Sequence, residues 1–228
     1  ETMLDKAVTD LGCYVFVNFI NPIRHEAMKT YAYEIFSELG RVPDFSFHPM
    51  GTGGGVWGTW KGYNELAAMG VTDKVPHMVP VQPEAVCWLK RAVDSGAEVA
   101  EMYGDSTRTI AQSISGNSPL QGGRRLIRAV RESGGAAMAV SDDEILAAMV
   151  DLGHEGIGAE PSSASTVAAF KQAVKAGKIS SSDTVVCVIT GTAFKQPSVV
   201  EHIAALPKYT IRADVDQLKG LLVRLKLL

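Results

Sequence analysis

Two short stretches of this chain carry residue types that could do chemistry: the run Gly51-Thr52-Gly53-Gly54-Gly55 and the turn Thr190-Gly191-Thr192. The first follows an apolar run, Phe45-Ser46-Phe47-His48-Pro49-Met50, and precedes a helix-like stretch beginning Val56-Trp57-Gly58-Thr59-Trp60. Strand, glycine loop and helix in that order make a nest for an anion. Glycines accept positive φ, so successive backbone N–H groups can turn inward, and no Cβ blocks a close approach. The helix N-terminus behind the loop adds partial positive charge and further free N–H groups. A phosphate group is the natural guest. A flexible turn is the other reading of a glycine run taken alone.

Around these stretches the chain must supply a scaffold, and its 228 residues suffice for one large domain or one domain plus part of another. With 46% apolar, 21% charged and only 7% aromatic residues, the composition is that of an ordinary α/β protein. A net charge of −3 gives no electrostatic reason to expect nucleic acid or an anionic membrane as partner. No apolar stretch reaches the length of a membrane span, and no signal-peptide pattern opens the sequence. The three cysteines, Cys13, Cys87 and Cys187, are scattered; Cys13 and Cys187 sit in apolar runs that suit buried free thiols in a reducing cytoplasm. The five histidines, His25, His48, His77, His154 and His202, lack metal-ligand spacing. Arg124, Arg128 and Arg131 share a helix face that reads as solvated, and Trp57 with Trp60 reads as core packing. No Gly-x-Ser-x-Gly elbow or Walker lysine is present. The opening Glu1-Thr2, running straight into a helix-like segment that ends near Leu11-Gly12, points to a fragment whose upstream part is missing.

Periodicity places strands at 14–18, 45–49, 78–82, 136–140 and 184–189. Helices are expected over 26–39, from the glycine loop to about 69, over 85–92, 107–113 and 123–131, and from Glu160 to about 176. Ser141-Asp142-Asp143-Glu144 is a capping box opening another helix. The tail from Pro207 carries Tyr209-Thr210-Ile211 and a Leu-rich last helix. Alternating strands and helices predict a three-layer α/β fold, a mostly parallel sheet with helices on both faces. Ligands of such sheets bind at the carboxyl ends of the strands, where both the glycine loop and Thr190-Gly191-Thr192 fall.

Taken together, from about residue 5 to residue 197, the chain resembles the pyridoxal-phosphate enzymes of fold type II, and within them the threonine synthases. Asn21-Pro22-Ile23-Arg24 with Lys29-Thr30, Gly51 to Gly55 followed by Trp60-Lys61-Gly62, and Thr109-Ile110-Ala111 with Gly116-Asn117 carry the resemblance. So do Arg131-Glu132-Ser133-Gly134-Gly135, the acidic capping box, Gly156-Ile157, Glu160-Pro161, and Val186-Cys187-Val188-Ile189-Thr190-Gly191 with Lys195. It implies that Gly51, Thr52, Gly53, Gly54 and Gly55 hold the 5′-phosphate of pyridoxal 5′-phosphate. Thr190 would face the pyridine nitrogen; a hydroxyl can hydrogen-bond that nitrogen without protonating it, which suits elimination and replacement better than transamination. A strand-end threonine satisfying its own turn is the plainer alternative. Glu160 would lie close to the cofactor's edge, or else serve as a helix N-terminal carboxylate ahead of Pro161. Ser113 falls near the cofactor wall, with Ser115 and Asn117 in the adjoining loop. Asn18 and Arg24 match the positions that hold the substrate's phosphate, for which a guanidinium fork is suited.

The implied reaction converts O-phospho-L-homoserine and water to L-threonine and phosphate. Two departures bear on it: Thr52 and Gly55 replace the asparagines of the family's Gly-Asn-x-Gly-Asn loop, and Phe19 follows Asn18 where a serine is usual. They leave room for a β-replacement enzyme, for example one joining phosphoserine and sulfite, or for a non-catalytic scaffold. Lys29, Lys61 and Lys195 do not sit in the Ser-x-Lys-Asp/Asn setting of the family's Schiff-base lysine, so that residue is expected to be absent from this chain. The resemblance further implies an end of a small domain over 1–24, a large cofactor-binding domain over 25–206 and a tail over 207–228. A small phosphorylated amino acid as ligand, a homodimer and a cytoplasmic location complete the expectation.

Overall fold

The computed structural model describes residues 3–12, 21–204 and 209–228. The expected strand over 14–18, with Asn18, and Cys13 lie outside the described residues. In chain order the elements are α1 (Met3–Leu11), α2 (Pro22–Ala27), α3 (Thr30–Leu39), β1 (Phe45–Pro49), α4 (Gly54–Ala68), β2 (His77–Pro83), α5 (Trp88–Asp94) and α6 (Arg124–Glu132). They continue with β3 (Met138–Val140), α7 (Asp142–His154), α8 (Pro161–Lys175), β4 (Val185–Cys187), α9 (Pro197–Ala204) and α10 (Val215–Arg224). The described strands form one sheet in the order β3-β2-β1-β4, every pairing parallel. This is the expected α/β architecture.

Side-chain alternation along the strands assigns the two faces. Phe47, Val79 and Val81 pack with Val140, Ile145, Met149 and Ala169, so α7 and α8 cover one face. Met50 and Met78 pack with Val56, Trp60, Leu89, Leu126 and Val130, so α4, α5 and α6 cover the other. A third cluster, Ala32, Val42, Tyr63 and Leu66, seats α3 on the outside of α4.

A proline in the middle of a sheet needs a reason, since it removes a ladder donor. The Met50 N–H donates to Val81 O at 2.8 Å, so odd residues of β2 bond toward β1 and even residues toward β3. Pro80 therefore faces the β3 side, and pairing with β3 starts only at Val81. One step earlier, the even Met78 N–H is taken by Ser133 Oγ at 3.1 Å rather than by a strand. Pro80 withholds a donor where the ladder has not begun.

Three expected elements differ. The helix expected over 26–39 is broken at Met28-Lys29, where Lys29 N–H bonds Glu26 O and Thr30 Oγ1 bonds Ala27 O at 3.1 Å. The cause is α4: a Cβ on Gly58 would stand 2.3 Å from Met28 Cβ, and one on Gly62 2.8 Å from Lys29 O. The backbone of 25–32 is thus pressed into a glycine groove, and a straight helix cannot follow it. Lys29 locks the bend through Glu26 at 2.6 Å and Glu65 at 2.8 Å. The helix expected over 107–113 is only a short 3₁₀ turn, Gln112–Ile114, because the Asp142 carboxylate takes the Thr109 hydroxyl at 2.7 Å and the Ile110 N–H at 3.0 Å. The segment expected as a helix over 85–92 splits into a 3₁₀ turn, Glu84–Val86, and α5, with Gln82 bonding both Val86 O and Leu89 N–H.

Candidate active site

The loops after β1 and β4, neighbours in the sheet, open into one cavity of about 430 Å³. Gly51 to Gly55, Ser113, Glu160, Thr190 and Arg24 all line it, whereas Ser115 and Asn117, named from sequence in the adjoining loop, do not, and Asn18 lies outside the described residues. Because α4 and α8 cover opposite faces of the sheet, the cavity lies at its carboxyl edge, with the start of each helix in its wall.

The glycine loop changes direction at Gly53, the N-cap of α4, with φ 88° and ψ 11°. A Cβ there would also lie 2.3 Å from Leu126 Cδ1, so only glycine fits. No side chain caps this helix start, and the Trp57 N–H is the one that closes back on Gly53 O, at 3.0 Å. The N–H groups of the first turn have no intrahelical acceptor and are left for a guest. Gly54 faces open space, with nothing within 4 Å of where a Cβ would stand. Uncapped donors, open space and a helix N-terminus fit a phosphate.

Beneath the loop, His48 on β1 is fully enclosed, its Nε2 2.9 Å from Ser46 Oγ and its ring edge-on to Tyr31. Burial holds its pKa down to about 4, so it stays neutral beneath the loop near neutral pH.

The opposite wall is built on the start of α8. Glu160, the N-cap residue, is 2% exposed; it accepts from Ser113 Oγ at 3.2 Å and pairs with Lys195 Nζ at 3.3 Å. Its own N–H bonds Gly191 O at 3.0 Å, tying the helix start to the loop after β4. A Cβ on Gly191 would lie 2.1 Å from Glu160 Oε1, so this loop needs its glycine to admit the carboxylate. Thr190 Oγ1 is 3.0 Å from Ser163 Oγ. The Ser162 hydroxyl, on a residue that lines the cavity, is buried and has no partner among the described residues, an orphan that a guest in the cavity could satisfy. Arg24, half-buried on α2, makes no ion pair among the described residues.

Other candidates have structural duties. Ser115 Oγ bonds Gln112 O and Asn117 Nδ2 bonds Gly104 O, which closes their loop. Trp57 and Trp60 pack together with ring centres 5.0 Å apart and planes tilted by 36°, Trp60 in the core and Trp57 against it, as core packing predicts. Arg128 pairs with Glu132 on the solvent side of α6. Cys87 and Cys187 are free thiols, and burial pushes Cys187 up to about 12. No cluster that could hold a metal occurs among the described residues. Sequence reasoning missed Ser162 and Ser163, and it weighed Lys195 only as a candidate for the covalent lysine. Ser163 and Lys195 act through contacts across the sheet edge, which chain-local spacing does not show, and Ser162 stands out only by its unsatisfied hydroxyl.

A parallel sheet with an uncapped glycine loop at its carboxyl edge, a hydroxyl at the end of one strand and a buried carboxylate beside it fits an enzyme that binds a phosphate-bearing cofactor. The family model described as pyridoxal-phosphate dependent enzyme matches residues 1–191, and the chain belongs to that family. Pyridoxal phosphate is therefore its cofactor, and the uncapped cradle, the orphaned Ser162 hydroxyl and Thr190 fit it. The chain is 38% identical over 205 residues to the threonine synthase of Methanosarcina acetivorans, covering 89% of this chain and 50% of that protein. It is 35% identical over 211 residues to the threonine synthase of Methanocaldococcus jannaschii, covering 92% and 51%. The chain thus spans about half the length of these relatives. Its fold is that of a solved threonine deaminase from Solanum lycopersicum, with a TM-score of 0.70 at 20% identity over 89% of this chain and 56% of that one. No helix among the described residues is long and apolar enough to cross a membrane.

Proposed function

We propose that the protein carrying this chain is a threonine synthase, converting O-phospho-L-homoserine and water to L-threonine and phosphate. The observation that carries the reading is the pairing, in one cavity, of the glycine cradle with a half-buried Arg24 that makes no ion pair among the described residues. One anion site serves the cofactor; a guanidinium in the same cavity suits a second phosphate, on the substrate. The names of the relatives at 35–38% identity support the same reading.

Bound there, pyridoxal phosphate would supply an electron sink for breaking C–H bonds beside the substrate's amino group. The chain's own residues would orient the parts. Gly51 to Gly55 anchor through backbone N–H groups, Thr190 meets the ring nitrogen, and Arg24 holds the phosphate that leaves. Glu160, held by Ser113 and Lys195, presents a fixed carboxylate at the cavity wall. None of this chain's lysines is given the covalent role.

Phosphate release and threonine formation from O-phospho-L-homoserine, measured on the whole protein, test this. Release from O-phosphoserine alone, with sulfite incorporated, would replace it by the β-replacement reading that Thr52 and Gly55 leave open. Release from neither substrate overturns both.

A further inference from the structure

Ser163 is buried and stands at the third position of α8, where its Oγ meets three groups of the loop after β4. It accepts the Thr190 N–H at 3.0 Å and the Gly191 N–H at 2.8 Å, and lies 3.0 Å from Thr190 Oγ1. A hydroxyl oxygen has two lone pairs and one proton. Both lone pairs are taken by the two backbone donors, so the third contact can only be Ser163 donating to Thr190 Oγ1. The opposite direction would leave three donors on one oxygen and a buried proton without an acceptor. Thr190 is thereby an acceptor toward Ser163, and its own proton is free for the cavity it lines.

We propose that Ser163 is a positioning residue that fixes the proton of Thr190, so that Thr190 presents a donor to the cofactor's ring nitrogen and selects the unprotonated ring. This rests on the assignment of Thr190 to that nitrogen and adds what sets the direction of its hydrogen bond. A ring nitrogen that carried its own proton would meet Thr190 proton to proton, unless that hydroxyl turned away and lost its partner. Ser163 thus tunes the ring from behind, touching neither cofactor nor substrate. The same oxygen satisfies two N–H groups of the loop that holds Thr190, so position and proton direction are set together.

The test uses the whole protein loaded with pyridoxal phosphate labelled with ¹⁵N in the ring, read by NMR alongside cofactor affinity. In the native protein the ring nitrogen should give the signal of an unprotonated, hydrogen-bonded pyridine. Thr190→Val should move it to that of a pyridine without a donor. Ser163→Ala should reproduce most of that shift with Thr190 intact, and weaken cofactor binding by up to about tenfold. In a Thr190→Val background, Ser163→Ala should move the ring signal no further. A protonated ring nitrogen in the native protein overturns the inference. So does a native-like signal in folded Ser163→Ala, or an equal shift in both backgrounds. If Ser163→Ala does not fold, Ser163→Cys, which keeps a weaker donor and acceptor, is read by the same criteria, and the native signal stands as a test needing no variant. If no labelled cofactor binds, the cofactor-site reading itself fails; a bound signal indifferent to Ser163 sinks the inference alone.

Discussion

Gly191 and Gly53 bear on the site through what they lack. At Gly191 a methyl would stand 2.1 Å from one Glu160 oxygen and 2.6 Å from its carboxyl carbon, so that buried carboxylate must shift into the cavity it lines. Gly191→Ala should therefore push Glu160 off Ser113 and Lys195 and cost about 1–3 kcal/mol of stability, with cofactor affinity falling too. Chemical denaturation and cofactor titration check it; an unchanged pair of values would mean that the loop is free to move. Gly53→Ala adds strain at φ 88° to a clash with Leu126, itself buried, and should cost a similar ~1–3 kcal/mol while loosening the glycine loop. At this scale the sequence announced the glycine run and Thr190, because chain-local spacing declares them. Ser163 was silent: its partners lie 27 and 28 residues away, and only the sheet brings them together. Lys195 showed no motif for the same reason, since its partner Glu160 is 35 residues distant.

Elements are held in place by a few polar ties as much as by their apolar faces. The Ser141 side chain accepts the Glu144 N–H at 3.3 Å, and the Glu144 carboxylate accepts the Ser141 N–H at 2.8 Å and the Gln172 side chain at 2.7 Å. The capping box of α7 is thus also a strut to α8. Ser141→Ala should lower stability by about 1 kcal/mol, read from thermal unfolding, with cofactor affinity unchanged because Ser141 does not line the cavity. The box was legible as Ser-x-x-Glu, and β1 was legible to the residue from its short apolar run and the glycines beyond it. What escaped the pattern was tertiary. Periodicity runs smoothly through Met28-Lys29, and only Gly58 and Gly62 on another helix break it. Thr107 to Ser113 carries helical spacing, yet Asp142 captures its backbone first.

The whole molecule answers to acid through groups on both sides of the sheet. His48 lies under the glycine loop, bonded to the Ser46 hydroxyl and edge-on to Tyr31, and burial lowers its pKa from 6.5 to about 4. Between those values the unfolded chain takes up a proton that the folded one refuses, so unfolding becomes easier as pH falls. The loss should reach about 2 kcal/mol between pH 7 and pH 5 and about 3 kcal/mol below pH 4. Carboxylates act in a later window. The Lys74 ammonium and the Thr184 N–H hold Asp44 below its usual value; for Glu144 the hydrogen bonds from Ser141 and Gln172 outweigh a burial that pushes the other way. Their contribution is present above the ordinary carboxylate range and is lost only as pH falls through and below it. The stability profile should therefore decline in two stages, with His48 contributing to the first. In His48→Gln, which can keep a hydrogen bond to Ser46, denaturant titrations from pH 7 to pH 4 should show a diminished first stage and retain the second. A first stage that persists undiminished in that variant would assign it to other groups and remove His48 as an acid-sensitive element of the fold.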